Sequence, residues 1–308
     1  MEWNKPALND THRVLFIGVG HMGNPMANCL LKGGVDVAVA DVNEAALAPF
    51  AGQGVATGTQ PDALPGDVVI TSLPTDRHVR EAILGEHGAL RGHTGERHIV
   101  IDMSSSAPSE TQRLAAELAK QNVAMLDAPV SGGVPRAKTG ELTTMVGGDA
   151  AELERYRPLL AHMCKNIRHV GAIGAGDTLK ALNNFLSAVS MWASSEALLV
   201  GARAGLDPQI MVDIWKTSTG RSHAVEVKIP NAVLPRTFDY GFSVGLMAKD
   251  LSIAASLSRE LNMPTPMLAA TEEHYLFARE ALGSSADLTR VMTLLETWAH
   301  FELSATPQ

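Results

Sequence analysis

Val14-Leu15-Phe16-Ile17-Gly18-Val19-Gly20-His21-Met22-Gly23 decides the fold. A short apolar run of buried-strand character ends at a glycine. Three glycines at the spacing Gly-x-Gly-x-x-Gly then open a helix-forming stretch that runs through Lys32. Each glycine answers a physical need of a loop that receives a pyrophosphate. Gly18 permits the tight turn, Gly20 lets the backbone approach the phosphates, and Gly23 lets the helix pack closely on the strand. His21 and Met22 complete the loop and are counted with it as cofactor-binding candidates. The first N–H groups of the helix then face the anion.

Outward from this unit, β-rich runs alternate with helical stretches as far as about Gly171. The strand candidates are Val14 to Ile17, Val37 to Ala40, Val68 to Leu73, Ile99 to Asp102 and Met125 to Val130. This alternation predicts a parallel sheet wrapped by helices. After Gly176 the β runs stop and the pattern is helical, with breaks at Gly205 to Pro208, Thr217 to Arg221, Pro230 to Gly241, Asn262 to Pro266 and Gly283 to Ser285. The expected architecture is therefore α/β. A Rossmann-type dinucleotide-binding domain over residues 12–175 is followed by an all-α domain over 176–308, the two joined by a long interdomain helix. That helix, from Asp177 to about Ala204, would span roughly 40 Å at ~1.5 Å per residue.

Composition narrows the function. The chain has 308 residues, 45% of them hydrophobic, and a formal charge of −8. No basic cluster stands out, so nucleic acid is not an expected partner. Two cysteines, Cys29 and Cys164, both on segments read as helices, form neither a disulfide framework nor a metal pair. Residues 1–11 lack the features of a signal or transit peptide, and no run approaches a membrane span. Disorder is expected only at the ends, and the expected location is the cytoplasm, with no membrane partner. Among the histidines there is no His-Glu-x-x-His; His87, His93 and His98 fall in a polar loop as solvated residues, so no metal is expected. Trp192 and Trp215 read as core or subunit-contact residues.

Asp41 ends the second strand, where a carboxylate accepts hydrogen bonds from ribose hydroxyls. It favours NAD over NADP, because a 2′-phosphate would meet a like charge and Val42-Asn43 brings no compensating arginine. Leu73-Pro74-Thr75 and Ser104-Ser105-Ser106 close two further strands on the nicotinamide side. The remaining chemical requirement is a proton carrier. Gly174-Ala-Gly176-Asp-Thr-Leu-Lys180-Ala-Leu-Asn183-Asn184 supplies one, with Lys180 and Asn184 at i and i+4 on one helix face.

Three segments in order, Gly18 to Gly23, Asp127-Ala-Pro-Val-Ser131-Gly132-Gly133 with Met145-Val-Gly-Gly148, and Gly174 to Asn184, resemble the β-hydroxyacid dehydrogenase family, the group of 3-hydroxyisobutyrate dehydrogenase and tartronate semialdehyde reductase. Met247-Ala-Lys249-Asp250-Leu251 is a fourth match. The resemblance implies that Ser131, Gly132 and Gly133 bind the substrate carboxylate, that Lys180 is general acid/base, and that Asn184 orients it or the substrate. It also implies that Lys249 lies at the cofactor and substrate end, and that Leu73, Pro74 and Ser105 touch NAD. Ser105 stands where several members carry threonine; either offers a hydroxyl. For Lys180 to work near neutral pH it must titrate below the ordinary lysine range, which burial and neighbouring positive charge achieve.

The implied reaction moves a hydride between the 3-hydroxyl carbon of a small 3-hydroxy acid and NAD. The α-substituent stays open: 3-hydroxyisobutyrate, glycerate- or threonate-like, serine-like and phenylserine-like acids all fit, as does reduction of tartronate semialdehyde. A 6-phosphogluconate dehydrogenase-like decarboxylase would resemble Lys-x-x-His-Asn, and Asn183 stands where that histidine would be. Imine reductase-like relatives replace the lysine. A nonenzymatic nucleotide-binding adaptor is set against the retention of Lys180, Asn184 and the carboxylate turn. Relatives are commonly dimers or tetramers built through the helical half. Thr217 to Ser222 is a candidate lid in which Arg221 pairs with a substrate group or is a solvated loop residue.

Overall fold

The structure, a computed structural model, describes residues 12–91 and 99–303. Residues 1–11, His93 and His98 lie outside the described residues. Chain contacts divide the protein into Met1–Lys180 and Ala181–Gln308. The division falls inside the long helix rather than at its start.

Among the described residues the first unit is built on nine strands: β1 (Arg13–Ile17), β2 (Asp36–Ala40), β3 (Ala56–Gly58), β4 (Val68–Thr71), β5 (Ile99–Asp102), β6 (Ala124–Asp127), β7 (Val130–Ser131), β8 (Leu142–Gly147) and β9 (Cys164–Gly171). They form one sheet in the order β3-β2-β1-β4-β5-β6-β8-β7, with β9 pairing β8. The run from β3 to β6 is parallel and has the doubly wound Rossmann order. Helices α1 (Gly23–Lys32), α2 (Glu44–Ala51), α3 (Asp76–Leu84), α4 (Pro108–Ala119), α5 (Gly133–Thr139) and α6 (Ala150–Leu160) complete the unit.

Strand side chains alternate between two buried layers, as a two-residue period demands. Val14 and Phe16 pack with Met26 and Leu30 of α1 and Phe50 of α2. Leu15 and Ile17 pack on the other side with Val79 and Ile83 of α3 and Leu114 and Leu118 of α4. Each such side chain, fully buried, contributes about 1.5–3 kcal/mol relative to exposure. A sheet covered on both faces explains why β1, β4 and β5 read as unbroken apolar runs.

Three features depart from the sequence expectation. The sheet is mixed rather than purely parallel, because β8 runs antiparallel to β6 and β7. The predicted strand Met125 to Val130 is broken at Ala128-Pro129 into β6 and β7; Pro129 has no N–H for a ladder. Cys164 lies on β9, not on a helix; both cysteines are buried and free, and burial pushes the Cys164 thiol up to about 12. It is therefore a packing residue with little thiolate character.

The second unit is helical. α7 (Ala175–Arg203) is followed by α8 (Pro208–Thr217), a π-helix at Ala224–Val233, α9 (Val244–Glu260), α10 (Pro266–Leu282) and α11 (Val291–Ala299). The break expected at Pro230 comes later, because the π-helix continues past it to Val233. The core collects Ala188, Met191 and Trp192 of α7, Ile229 and Val233 of the π-helix, Leu251 of α9, Tyr275 of α10 and Val291 of α11, with Trp215 packed against it. Among the described residues, α7 alone is long and apolar enough to cross a membrane by length and composition. A core helix meets the same test, and α7 carries Ala188, Met191 and Trp192 into the apolar core.

Candidate active site

Strand order reverses between β1 and β4, and the loops leaving their carboxyl ends form the crevice where such sheets bind ligands. The glycine loop leaves β1 there. Gly18 has φ +91°, and a Cβ on it would lie 2.4 Å from the Ser72 carbonyl oxygen of the neighbouring loop. A Cβ at Gly23 would sit 1.8 Å from the Gly18 carbonyl oxygen, so the turn closes only with glycine at both ends. At Gly20 a Cβ would meet nothing within 4 Å, and the residue is exposed. The loop is thus tight where it folds on itself and open where a pyrophosphate would approach. That fits a dinucleotide at the start of α1. His21 is exposed and Met22 half-buried beside this opening.

Asp41, at the end of β2, is tied into the loop. Its Oδ2 accepts the Val19 N–H at 2.8 Å and its Oδ1 accepts the Asn43 N–H at 2.8 Å. A carboxylate oxygen has a second lone pair, so ribose hydroxyls still find acceptors here. On the β4 side the Leu73 N–H donates to Ser104 Oγ at 2.9 Å, fixing the Leu73-Pro74 turn against the loop after β5. Pro74 is exposed, and Ser105 is half-buried next to Ser104.

Ser131, Gly132 and Gly133 stand where β7 passes into α5. Gly132 has φ +135° and Gly133 φ +68°, backbone that glycine adopts without the strain a side chain would bring. Both glycines are exposed and Ser131 is half-buried.

The start of α7 is fastened to the first unit by buried carboxylates. Asp127 accepts the Gly174 N–H at 2.8 Å and the Asp177 N–H at 2.9 Å. Asp177 accepts the Thr111 hydroxyl at 2.7 Å and the Ser106 N–H at 3.2 Å. Asp102 accepts the Ser106 hydroxyl at 3.0 Å and the Thr71 hydroxyl at 2.8 Å. Burial pushes Asp127 up to about 6, and burial, reinforced by Asp102 and Asp127, holds Asp177 well above the usual carboxylate range. These anchors explain why the division between units follows the first turn of α7.

Lys180 sits one turn past Asp177 and is 8% exposed; Asn184, one turn further, is 5% exposed. Asn184 Nδ2 donates to Asp250 Oδ2 at 2.5 Å, and Asn184 Oδ1 accepts from Asn183 at 3.2 Å. An ionised carboxylate accepts only, so the amide nitrogen must face Asp250 and the orientation of Asn184 is fixed. Lys249 Nζ lies 3.1 Å from Asp250 Oδ1 in an ion pair that lacks hydrogen-bond alignment, since that oxygen has no hydrogen-bond partner. Asn184, Asp250 and Lys249 are therefore one network within the second unit. Ion-pair and hydrogen-bond partners also locate two residues outside it. Arg221 is 67% exposed and pairs with Glu226 at 3.0 Å, and His87 pairs with Asp62 at 3.3 Å. Among the described residues no group of His, Cys, Asp or Glu could hold a metal ion.

Residues 13–171 match the family described as the NAD binding domain of 6-phosphogluconate dehydrogenase, and residues 174–295 match the NAD-binding family of NADP-dependent 3-hydroxyisobutyrate dehydrogenase. 2-(Hydroxymethyl)glutarate dehydrogenase of Eubacterium barkeri is 37% identical over 92% of this chain and 95% of its own. The chain belongs to the β-hydroxyacid dehydrogenase family. NAD-dependent L-serine dehydrogenase of Pseudomonas aeruginosa is 40% identical over 83% of this dehydrogenase and 88% of its own length. The solved 3-hydroxyisobutyrate dehydrogenase of Mycobacterium tuberculosis with L-serine is similar at a TM-score of 0.83 and 32% identity, covering 93% of this chain and 99% of that one. This dehydrogenase is an NAD-dependent oxidoreductase acting on the CH–OH group of small hydroxy acids.

Sequence reasoning did not single out Asp250, Asp127 or Asp177 as site residues. Asp250 stands beside Lys249 in the fourth matching segment, and that adjacency was the available signal. The two others were quoted only as motif positions, because a buried carboxylate that accepts backbone N–H groups leaves no mark in composition.

Proposed function

We propose that the protein oxidises the primary or secondary 3-hydroxyl of a small 3-hydroxy acid, with Lys180 as general base, and reduces the corresponding aldehyde or ketone with Lys180 as general acid. The observation that carries this reading is the buried Lys180 one helical turn before Asn184, whose amide is locked by Asp250. A lysine kept largely from water near a fixed amide is suited to moving one proton rather than to solvating a surface.

Gly18, Gly20, His21, Met22, Gly23, Asp41, Leu73, Pro74, Ser105 and Lys249 are assigned to NAD, which supplies the hydride acceptor when bound. Ser131, Gly132 and Gly133 take the substrate carboxylate on N–H and hydroxyl donors. Asn184, oriented by Asp250, holds Lys180 or the substrate hydroxyl so that the proton passes to Lys180 Nζ as the carbon is oxidised. In the reverse direction the Lys180 ammonium returns that proton to the forming alkoxide. The Asp250 carboxylate keeps Lys249 and Asn184 in one arrangement through both directions.

The named relatives act on hydroxymethylglutarate, L-serine and 3-hydroxyisobutyrate, which supports a hydroxymethyl acid as substrate and leaves the α-substituent open. Exposed apolar side chains at Leu206, Ile210, Ile214 and Trp298 support a homodimer or homotetramer, and two buried free cysteines support the cytoplasm. The test is NADH formation at mildly alkaline pH with 3-hydroxyisobutyrate, glycerate, serine and phenylserine. No NADH with any of them, nor with 2-(hydroxymethyl)glutarate, would remove this substrate assignment.

A further inference from the structure

Lys228 is 1% exposed, one of the largest side chains buried so completely in the protein, and it carries an amine. It lies on the π-helix, a form concentrated at functional sites because its extra residue per turn re-aims side chains. Its Nζ is 2.6 Å from Ser187 Oγ and 5.4 Å from the centre of the Tyr240 ring. Tyr240 in turn meets His223 edge to face at 6.1 Å. Ser187 and Tyr240 are half-buried, so they stand between the ammonium and solvent.

The chemistry of this pair fixes its polarity. An ammonium has donors only, so Ser187 Oγ must accept from Lys228, and the serine proton is left to point elsewhere. Among the described residues the Ser187 hydroxyl donates to no protein group. The result is a donor polarised by the charge behind it. Ser187 is on α7 at i+3 from Asn184, one turn or ~4.5 Å further along the same helix, where residues at this spacing are neighbours.

We infer that Ser187, backed by Lys228, is a specificity subsite that reads an acceptor on the substrate's α-substituent, so that the preferred substrate is a hydroxymethyl acid with a second carboxylate. This rests on the assignment of Asn184 and Lys180 to the reacting hydroxyl. A chain of two or three bonds from the α-carbon spans the single turn from Asn184 to Ser187. A methyl group leaves the Ser187 proton without an acceptor, and an α-ammonium brings a second positive charge toward Lys228. Lys228 is a positioning residue: it acts through Ser187 and not on the reacting carbon.

Two acids that differ only in this group test the inference: 3-hydroxyisobutyrate, with a methyl, and 2-(hydroxymethyl)glutarate, with a carboxyethyl arm. The ratio of their kcat/KM values is measured, because any fraction of misfolded protein cancels from it. The wild type is expected to favour the dicarboxylate. Ser187→Ala is expected to lower the ratio at least about tenfold, the size of a lost hydrogen bond to a charged group, with the change in KM. Lys228→Met is expected to lower the same ratio in the same parameter. A wild-type preference for 3-hydroxyisobutyrate, or a ratio that Ser187→Ala leaves in place, would overturn the subsite while the dehydrogenase reading stands. Absence of NADH from both acids would overturn that reading, and the subsite with it.

Discussion

Asn184 gives its amide N–H to Asp250 at 2.5 Å, which ties a residue of α7 to one of α9 and fixes the orientation of the amide. Asp250 is 3% exposed and also faces Lys249, so its removal takes the acceptor from Asn184 and the counter-charge from beside Lys249. Asp250→Ala is expected to lower kcat by about 10- to 100-fold, the scale on which small misplacements of a reacting group act. NAD affinity, followed by fluorescence titration, is expected to move much less. A normal kcat would show that Asn184 keeps its orientation without Asp250.

Lys180→Met keeps most of the side-chain length and removes the transferable proton. Turnover is expected to fall by at least about a hundredfold, the lower end for positioned proton transfer, while folding and NAD binding persist. Asn184→Ala follows in severity because it removes orientation and not the carrier. Ser131→Ala acts mainly on KM if backbone N–H groups do most of the carboxylate binding. If Lys180→Met retains more than about a tenth of kcat, the proton has another carrier, and Lys249 is the next to test.

The fold was legible where both faces of a strand are buried. Val14 to Ile17 and Val37 to Ala40 are apolar throughout, Val68 to Ile70 and Ile99 to Ile101 nearly fill their strands, and all four read as strands. β9, Cys164–Gly171, carries the exposed pairs Lys165-Asn166 and Arg168-His169 and has no two-residue period, and β3 is too short to show one, so neither announced itself. Among the candidate site residues, those that need a special backbone or a rare chemistry could be proposed from sequence: the glycines, Asp41, Lys180 and Asn184. Asp250, Asp177 and Ser187 have hydrogen-bond partners distant in sequence, and only folding brings those partners to them. Arg221 was open between a substrate contact and a solvated loop residue, and its guanidinium pairs with Glu226 at the surface.

Gly20 and Gly23 separate binding from folding within one loop. A Cβ at Gly20 meets open space, whereas at Gly23 it would overlap the Gly18 carbonyl. Gly20→Ala is expected to keep its Tm within a few degrees of wild type and to raise KM for NAD, since the methyl occupies the path of the pyrophosphate. Gly23→Ala is expected to lower Tm clearly. Equal Tm losses in the two variants would mean that Gly20 serves the turn and not the ligand.

Asp41 has two duties, one toward the chain and one toward the ribose. The wild type is expected to favour NAD over NADP in kcat/KM, and Asp41→Ala to narrow that preference without reversing it, because loss of repulsion does not build a phosphate site. The same change strips the acceptor from the buried Val19 N–H, at a cost of about 1–3 kcal/mol. A fall in Tm should therefore accompany the narrowed preference. A wild type that favours NADP would defeat the argument from charge.

Asp177 offers a test in pH. Its carboxyl is held well above the ordinary 3.8 by burial first and by Asp102 and Asp127 second. A carboxyl whose folded value is raised favours the fold while protonated, so its contribution is complete below the unfolded value near 4. That contribution is lost as pH rises through the folded value. Asp127, at about 6, loses its share between about pH 4 and 6 in the same sense. Asn at position 177 stays neutral at every pH. Its oxygen can still accept from the Ser106 N–H, and its amide can donate to Thr111 once that hydroxyl rotates. Asp177→Asn is therefore expected to be more stable than wild type near pH 8, by a few degrees in Tm, with the gap shrinking toward pH 5. A gap that does not change with pH would mean that Asp177 keeps the same charge across this range. A variant less stable than wild type near pH 8 would mean that its two hydrogen bonds require the carboxylate and outweigh its desolvation.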